Sequence, residues 1–279
     1  MRALAAMLAA CLLCGCSMVR FAYENADSYL RWRAGNYLDV HGEAAEELDA
    51  AIDAFHDWHR AQALPQYARL AAEAAQRVGD GVAPGDLVWG YDSLTAQART
   101  SLRAAAERIA PVLGKLDAQQ IAHFERRLAE DNRRFAREFL RGSEGARRER
   151  RAERIVKRLE DWVGRLSEAQ VQRVRHYSDR APLVGALRDR DNRRLQAKLL
   201  HLLCSDKKET LKESLVELAV RWDRDRDPAY AAAIESTRRE LYDMLLDIDR
   251  TLSPEQRARA VAELRRYAAD FRQLAERGR

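Results

Sequence analysis

Three segments of this 279-residue chain share one helix-start pattern, which constrains the fold more than any other feature. A leucine precedes Ser or Asp, and a glutamine follows three positions later, at Asp117–Gln120, Ser167–Gln170 and Ser253–Gln256. In such a capping box the Ser or Asp side chain accepts a hydrogen bond from a free N–H of the first turn, and the glutamine reaches back to the cap residue. Each copy therefore predicts the start of an α-helix.

Apolar residues recur at spacings of three and four, which is the period of an amphipathic helix. One series is Ile121, Phe124, Leu128, Phe135 and Phe139, and later series include Trp162, Leu264 and Phe271. Only 13 glycines and 6 prolines interrupt the chain, and no run alternates as a half-buried strand does. We expect an all-α fold, an extended bundle of antiparallel amphipathic helices, with breaks at 79–85, 142–145 and 178–182.

The N-terminal segment is of a different kind. A short apolar run behind Arg2 ends in Leu13-Cys14-Gly15-Cys16, which is typical of an export signal and too short to span a bilayer. The order Leu, small residue, Gly, Cys resembles the lipobox of bacterial lipoproteins, whose cysteine is acylated after the preceding peptide is removed. The resemblance implies a signal peptide over 1–15, a lipidated Cys16 and a short tether over 16–20. Because Ser17 follows the cysteine, it also implies the periplasmic face of the outer membrane.

Residues 21–279 are expected to form a single helical domain, with a subdivision near 142–145 as the alternative. Cys11 and Cys14 would leave with the signal, and the apolar neighbours of Cys204 predict a buried thiol there. The net charge of +5 is modest, and a chain outside the cytoplasm does not meet nucleic acid. The expected partners are the membrane, through the lipid anchor, and an unidentified envelope protein.

His56 and His59 are the one close histidine pair, and their spacing places both on one helix face. With Asp53 they are candidate metal ligands, but a zinc site needs three or four ligands and no second cluster completes this one. The alternative is structural, with Trp58 in the core and His59 hydrogen-bonded beside it. No cofactor is expected. The chain also carries no nucleophile elbow, phosphate loop or dinucleotide motif, so the sequence does not favour an enzyme.

Aromatic residues crowd the opening of the expected body, which is predicted to be one helix containing Phe21, Tyr23, Tyr29, Trp32 and Tyr37. This helix either packs on the bundle or presents an aromatic surface to lipid headgroups or a partner. The candidate residues of that surface are Tyr23, Asn25, Asp27 and Trp32.

The segment 147–158 is rich in arginine, with glutamates interrupting it at helical spacing. It is interpreted either as a solvated helix face or as a contact for anionic lipid or an acidic partner. The candidate contact residues are Arg147, Arg150, Arg151 and Arg154.

Several motifs together resemble DUF6279, a family of uncharacterised proteobacterial lipoproteins. They are Phe21–Asp27, Trp32, Tyr37–Asp39, Trp58–Arg60 and Leu64-Pro65-Gln66-Tyr67. The resemblance implies a helical, lipid-anchored protein and assigns no activity. The capping-box copies are also similar to the Leu-Thr-x-x-Gln repeats of small helical periplasmic stress chaperones. We therefore expect a binding, scaffold or chaperone-like role at the envelope, with an envelope enzyme or accessory subunit as the alternative.

Overall fold

The structure is a computed structural model that describes residues 18–205 and 208–277. Within these ranges the chain is helical and contains no strand, which confirms the all-α prediction. No helix in the described part combines the length and apolarity needed to cross a bilayer. The α-helices in chain order are α1 (Met18–Glu24), α2 (Ala26–Leu38), α3 (Glu43–Trp58), α4 (Leu64–Asp80), α5 (Pro84–Gly114), α6 (Ala118–Phe135), α7 (Glu144–Val163), α8 (Glu168–Arg180), α9 (Gly185–Cys204), α10 (Leu211–Val220), α11 (Pro228–Arg250) and α12 (Pro254–Glu276).

All three predicted capping boxes form. The side chains of Asp117, Ser167 and Ser253 accept from the N–H three residues on, and each glutamine side chain accepts from the cap residue's N–H in return. Two of the glutamines also bond to each other, since Gln170 Nε2 lies 3.0 Å from Gln256 Oε1 and Gln256 Nε2 lies 3.1 Å from Gln170 Oε1. The starts of α8 and α12 are thereby joined.

Helix breaks occur at the three predicted places, after Asp80, after Leu140 and after Arg180, and further breaks separate the other helices. At the first two, Gly81 and Gly142 have φ values of 94° and 87°, which a residue with a side chain rarely adopts. π-helical turns extend two helices, one over His59–Ala63 between α3 and α4 and one over Ala136–Leu140 after α6.

Two expectations from the sequence are wrong. The opening segment is two helices instead of one, because Asn25 leaves the helical conformation and its Nδ2 donates to the Phe21 carbonyl at 2.8 Å. Cys204 is exposed, because it is the last residue of α9 and the core side of that helix end is occupied by Leu203. Helix α1 also begins at Met18, inside the span expected to be tether.

The buried residues form separate clusters. The largest joins α2, α3, the second half of α5, α6, α9 and α10, around Leu48, Phe124 and Leu203. A second joins α7, α8 and α11 around Val174 and Met244. Residues from both sides of 142–145 contribute to the largest cluster, and helix α5, about 46 Å long at about 1.5 Å per residue, extends beyond it.

Helices α4 and α12 pack along each other in antiparallel directions. The rings of Tyr67 and Phe271 lie 6.0 Å apart near one end, and Arg257 donates to the Val78 carbonyl at 2.6 Å near the other. Both helices carry small buried residues, which are Ala68, Ala71 and Ala75 on α4 and Ala260 and Ala268 on α12. Helix α1 lies against the end of α12, where Arg20 pairs with buried Asp270 at 3.1 Å.

Candidate binding site

Helix α1 places Tyr23 against the two histidines of α3 and its π turn. The Tyr23 ring stacks on His56 at 4.8 Å between ring centroids, and its hydroxyl lies 3.1 Å from His59 Nδ1 in a hydrogen bond. Burial raises the pKa of Tyr23 to about 12, so its phenol stays protonated. Burial also lowers the pKa of His59, and the neighbouring His56 adds to that effect. The pair is therefore a neutral hydrogen-bonded contact at neutral pH.

The two histidines that were candidate metal ligands both face Tyr23. His56 Nε2 lies 3.4 Å from the Tyr23 carbonyl oxygen, and His59 Nδ1 is engaged with the hydroxyl. Asp53 pairs instead with Arg31 of α2. Among the described residues no group of three or more His, Cys, Asp or Glu lies close enough to hold a metal ion. The hydrogen bond at His59 agrees with the structural interpretation of this motif, but Trp58, which that interpretation placed in the core, is only half-buried.

From Tyr23, aromatic rings continue in a chain of contacts across the molecule. His59 lies 5.8 Å from Tyr67, Tyr67 lies 6.0 Å from Phe271, and Phe271 lies 6.1 Å from Tyr267. Tyr267 in turn stacks on Trp162 at 5.3 Å. This series of rings connects α1 to a groove that Tyr67, Tyr267, Phe271 and Trp162 also line.

The groove lies between α4, the first half of α5, Trp162 of α7, and α12. Its volume is about 320 Å³, which is within the range of small-ligand sites. Its lining is almost entirely apolar and contains no charged residue. The lining residues are Tyr67, Leu70, Ala71, Ala74, Trp89, Gly90, Ser93, Leu94, Trp162, Leu264, Tyr267 and Phe271. Such a surface recognises apolar groups, because it offers few hydrogen-bonding partners to a polar ligand.

From the groove residue Leu94, exposed apolar side chains continue along α5 to Tyr91 and Val88. Val88, Tyr91 and Leu94 are 49%, 43% and 59% exposed and follow one another at a spacing of three. At the rim, the Arg77 guanidinium lies 4.2 Å from the Trp89 ring centroid and pairs with Glu73 and Asp86. The apolar surface is thus longer than the groove itself and is bordered by charges that already have partners.

Sequence reasoning missed most of this site. Trp162 and Phe271 were assigned to apolar stripes of the core, and Trp89, Leu94 and Tyr267 were not singled out. One feature of the sequence does point to the site. Val88, Tyr91 and Leu94 follow one another at a spacing of three, and the core does not bury this apolar stripe on the first half of α5. The sequence does not show that α12, which lies far along the chain, forms one wall of the groove.

The aromatic surface predicted at the opening of the body is divided between two environments. Tyr23 faces inward against the histidines, while Phe21, Tyr29 and Trp32 are 62%, 54% and 63% exposed. The Asn25 side chain is used locally on the Phe21 carbonyl. The Asp27 carboxyl also has a local partner, the Ser28 backbone N–H, and this hydrogen bond holds the pKa of the carboxyl below its usual value.

Three arginines of α7 donate to backbone carbonyls elsewhere in the fold. Arg148 and Arg151 donate to the last carbonyls of α8 and the turn after it, including those of Ser178 and Ala181 at 2.8 Å. Arg150 donates to the Arg141 carbonyl at 2.6 Å. These contacts satisfy helix-end carbonyls, which is a structural role.

The other candidates of the basic segment lie in different surroundings. The Arg154 guanidinium lies 5.6 Å from the Phe139 ring centroid, and Arg154 lines a pocket between α7 and α11 together with Arg151. Arg147 is half-buried near Glu144, whose pKa is lowered mainly by its hydrogen bond to Arg148 and less by the charge of Arg147.

Comparison with known proteins places the chain in a family without assigning it an activity. Residues 36–231 match the model of DUF6279, described as a family of unknown function. No curated protein and no solved structure matches the chain significantly. The matched segment includes the α4, α5 and α7 walls of the groove, whereas α12 lies outside it. Because the match spans well over half of the sequence, the protein belongs to the DUF6279 family.

Proposed function

We propose that this protein is a binding protein of the bacterial envelope, held at the periplasmic face of the outer membrane by acyl chains on Cys16. In this proposal the apolar groove binds an apolar segment of another envelope protein. The lipobox-like residues Leu13 to Cys16 support the anchor. The observation that supports the binding role is the groove, whose lining residues carry no charge.

The shape of the apolar surface favours a polypeptide segment as the occupant. The exposed stripe of α5 continues the groove along the helix, so the apolar surface is longer than one small ligand requires. An amphipathic helix docks on such a surface through side chains spaced three and four apart. Each fully buried leucine-sized side chain contributes about 1.5–3 kcal/mol, so two or three such contacts supply several kcal/mol of favourable binding free energy.

The groove predicts that the protein suppresses aggregation of a client with exposed apolar segments. With reduced insulin as the client, we expect suppression at near-stoichiometric amounts, followed by light scattering. Leu94→Glu should weaken this about tenfold, since a charge in the groove removes an apolar contact of about 1.4 kcal/mol or more. The exposure of Leu94 means that the substitution leaves the core intact.

Leu102→Glu is the matched control. Leu102 lies on the same helix, is 42% exposed and does not line the groove, so this variant should suppress aggregation as the unaltered protein does. Equal loss in the two variants, or no suppression by the unaltered protein, would contradict the proposal.

A further inference from the structure

A second pocket lies between α7 and α11 and shares no lining residue with the groove. Its volume is about 610 Å³. The floor consists of aliphatic side chains from both helices, and Met244 in it is only 1% exposed because it also belongs to the second core cluster. The apolar floor residues are Ile155, Leu159, Leu241, Met244 and Leu245. The pocket therefore offers an apolar floor on which an alkyl chain can lie.

One side of this pocket is strongly basic. Arg154, Lys157 and Arg158 line it from α7 and are exposed, and Asp161 is the one acidic residue in the lining. None of the three cations forms an ion pair with any residue in the described ranges. By contrast, neighbouring arginines of the same region are paired, as Arg173 is with Asp247 at 2.5 Å and Arg180 with Glu240 at 3.0 Å.

The fourth cation of the pocket, Arg151, is already committed to the fold. Its Nη1 donates to the Pro182 carbonyl at 2.8 Å, and its Nε lies 3.1 Å from Ser178 Oγ. Arg151, Arg154 and Arg158 follow each other at spacings of three and four on one helix face, where like charges repel. Burial lowers the pKa of Arg151, and the positive charge of Arg154 contributes in the same direction. The pocket thus concentrates positive charge on one helix face, where one acidic residue, Asp161, also lines it.

We infer that this pocket binds a single-chain anionic amphiphile, such as a fatty-acid carboxylate. The head group contacts Arg154, Lys157 and Arg158 in charge-assisted hydrogen bonds. The alkyl chain lies on the apolar floor between α7 and α11. This inference concerns a site separate from the groove and does not depend on the function proposed for that groove.

The experiment uses the full-length protein in phosphatidylcholine nanodiscs and a photoactivatable fatty acid with a diazirine in its chain. After irradiation, mass spectrometry of peptides should locate the label within residues 155–159 and 241–245. Dodecanoate should compete with the probe and dodecanol should not, because only the former carries the charge. Competition by dodecyl phosphate as well would extend the ligand class to phosphate head groups, which also supports the inference.

Charge reversal tests the basic side of the pocket. Arg154→Glu, Lys157→Glu and Arg158→Glu together should reduce labelling of these peptides at least about tenfold, because each lost contact is charge-assisted. The matched control reverses Arg126, Arg133 and Arg137, three exposed arginines of α6 and the π turn that follows it, so the net charge changes equally. Circular dichroism checks that each variant stays folded, and Arg154→Gln, Lys157→Gln and Arg158→Gln provide a milder set.

Three results would overturn the inference. One is equal labelling of the two reversed proteins, which would show that net charge alone attracts the probe. Another is equal competition by dodecanol, which would show a site without head-group recognition. The third is the absence of label from both α7 and α11. None of these results bears on aggregation suppression by the groove.

Discussion

At the scale of single residues, buried polar groups are paired with partners from distant parts of the chain. Buried Asp249 accepts from the Val82 N–H at 3.1 Å and from Arg257 at 2.8 Å, and so holds the α4–α5 turn against α11 and α12. His59 is engaged in the same way by Tyr23, which lies 36 positions earlier in the chain. Such contacts fix helices in place because a buried polar group without its partner costs about 1–3 kcal/mol.

The pair of Tyr23 and His59 predicts a pH dependence of stability. Because the pKa of His59 is lowered in the folded state, the unfolded chain takes up a proton at this residue first as the pH falls below about 6.5. The free energy of unfolding therefore decreases in this range and levels off below the folded-state pKa. Urea titrations at pH 7.5 and pH 5 measure this change. Between the two pH values the free energy of unfolding should fall less in His59→Gln than in the unaltered protein.

The control for this experiment is His176→Gln. His176 is exposed on α8, so its replacement should leave the pH dependence as it is in the unaltered protein. If His59→Gln showed the same loss of stability between the two pH values as the unaltered protein, the assignment to His59 would be wrong.

The residue scale also shows where sequence reasoning stops. One of the two interpretations drawn from the sequence gave His59 a hydrogen-bonded, structural role. It did not identify Tyr23 as the partner, since the contact depends on how α1 is placed against α3. For Cys204 local composition misled, because the apolar residues before it face the core while the helix end itself is open to solvent.

At the scale of helices, starts and breaks were predictable because their causes are local. A capping box acts within four residues, and a glycine with positive φ ends a helix by itself. The pairing of Gln170 with Gln256 was not predictable from the sequence, because the capping box at its own helix start already explains the presence of each glutamine. In the structure Gln170 is 2% exposed and also donates to the Thr251 carbonyl at 3.1 Å.

This pairing predicts that the second capping box contributes more stability than the first. Gln170→Leu should lower the free energy of unfolding by about 1–3 kcal/mol, since it removes the hydrogen bonds that a buried side chain makes to Ser167, Thr251 and Gln256. Gln120→Leu, at the same position in the first box, should cost about 0.5–1 kcal/mol, because Gln120 is half-buried and meets no second glutamine. Urea unfolding of both variants measures the difference, and equal costs would contradict this explanation.

At the scale of the whole molecule, the first and last helices are adjacent. Arg20 of α1 pairs with Asp270 of α12, and Glu24 pairs with Arg277 just beyond it. The aromatic chain of contacts then extends from α1 to the groove. If Cys16 carries the anchor, the body is attached through a helix that packs on the rest of the fold, because α1 begins two positions after it.

The anchor itself is tested by Cys16→Ala. In cells supplied with radiolabelled palmitate, the unaltered protein should incorporate label and sediment with the outer-membrane fraction, since two or more acyl chains give stable attachment. The variant should incorporate none. Cys204→Ala is the control, because Cys204 is the exposed thiol of the described ranges and should have no effect on labelling. Label in Cys16→Ala would disprove the anchor.

The packing of α4 against α12 has a consequence for the order in which the protein forms. The hydrogen bond between Arg257 and the Val78 carbonyl spans 179 positions, so α4 is synthesised long before its main partner exists. Helical proteins built from local contacts fold quickly, whereas contacts between distant segments slow folding and leave apolar surface uncovered meanwhile. We therefore expect the α4–α12 layer to close last, which makes the groove at its edge a product of the final folding step.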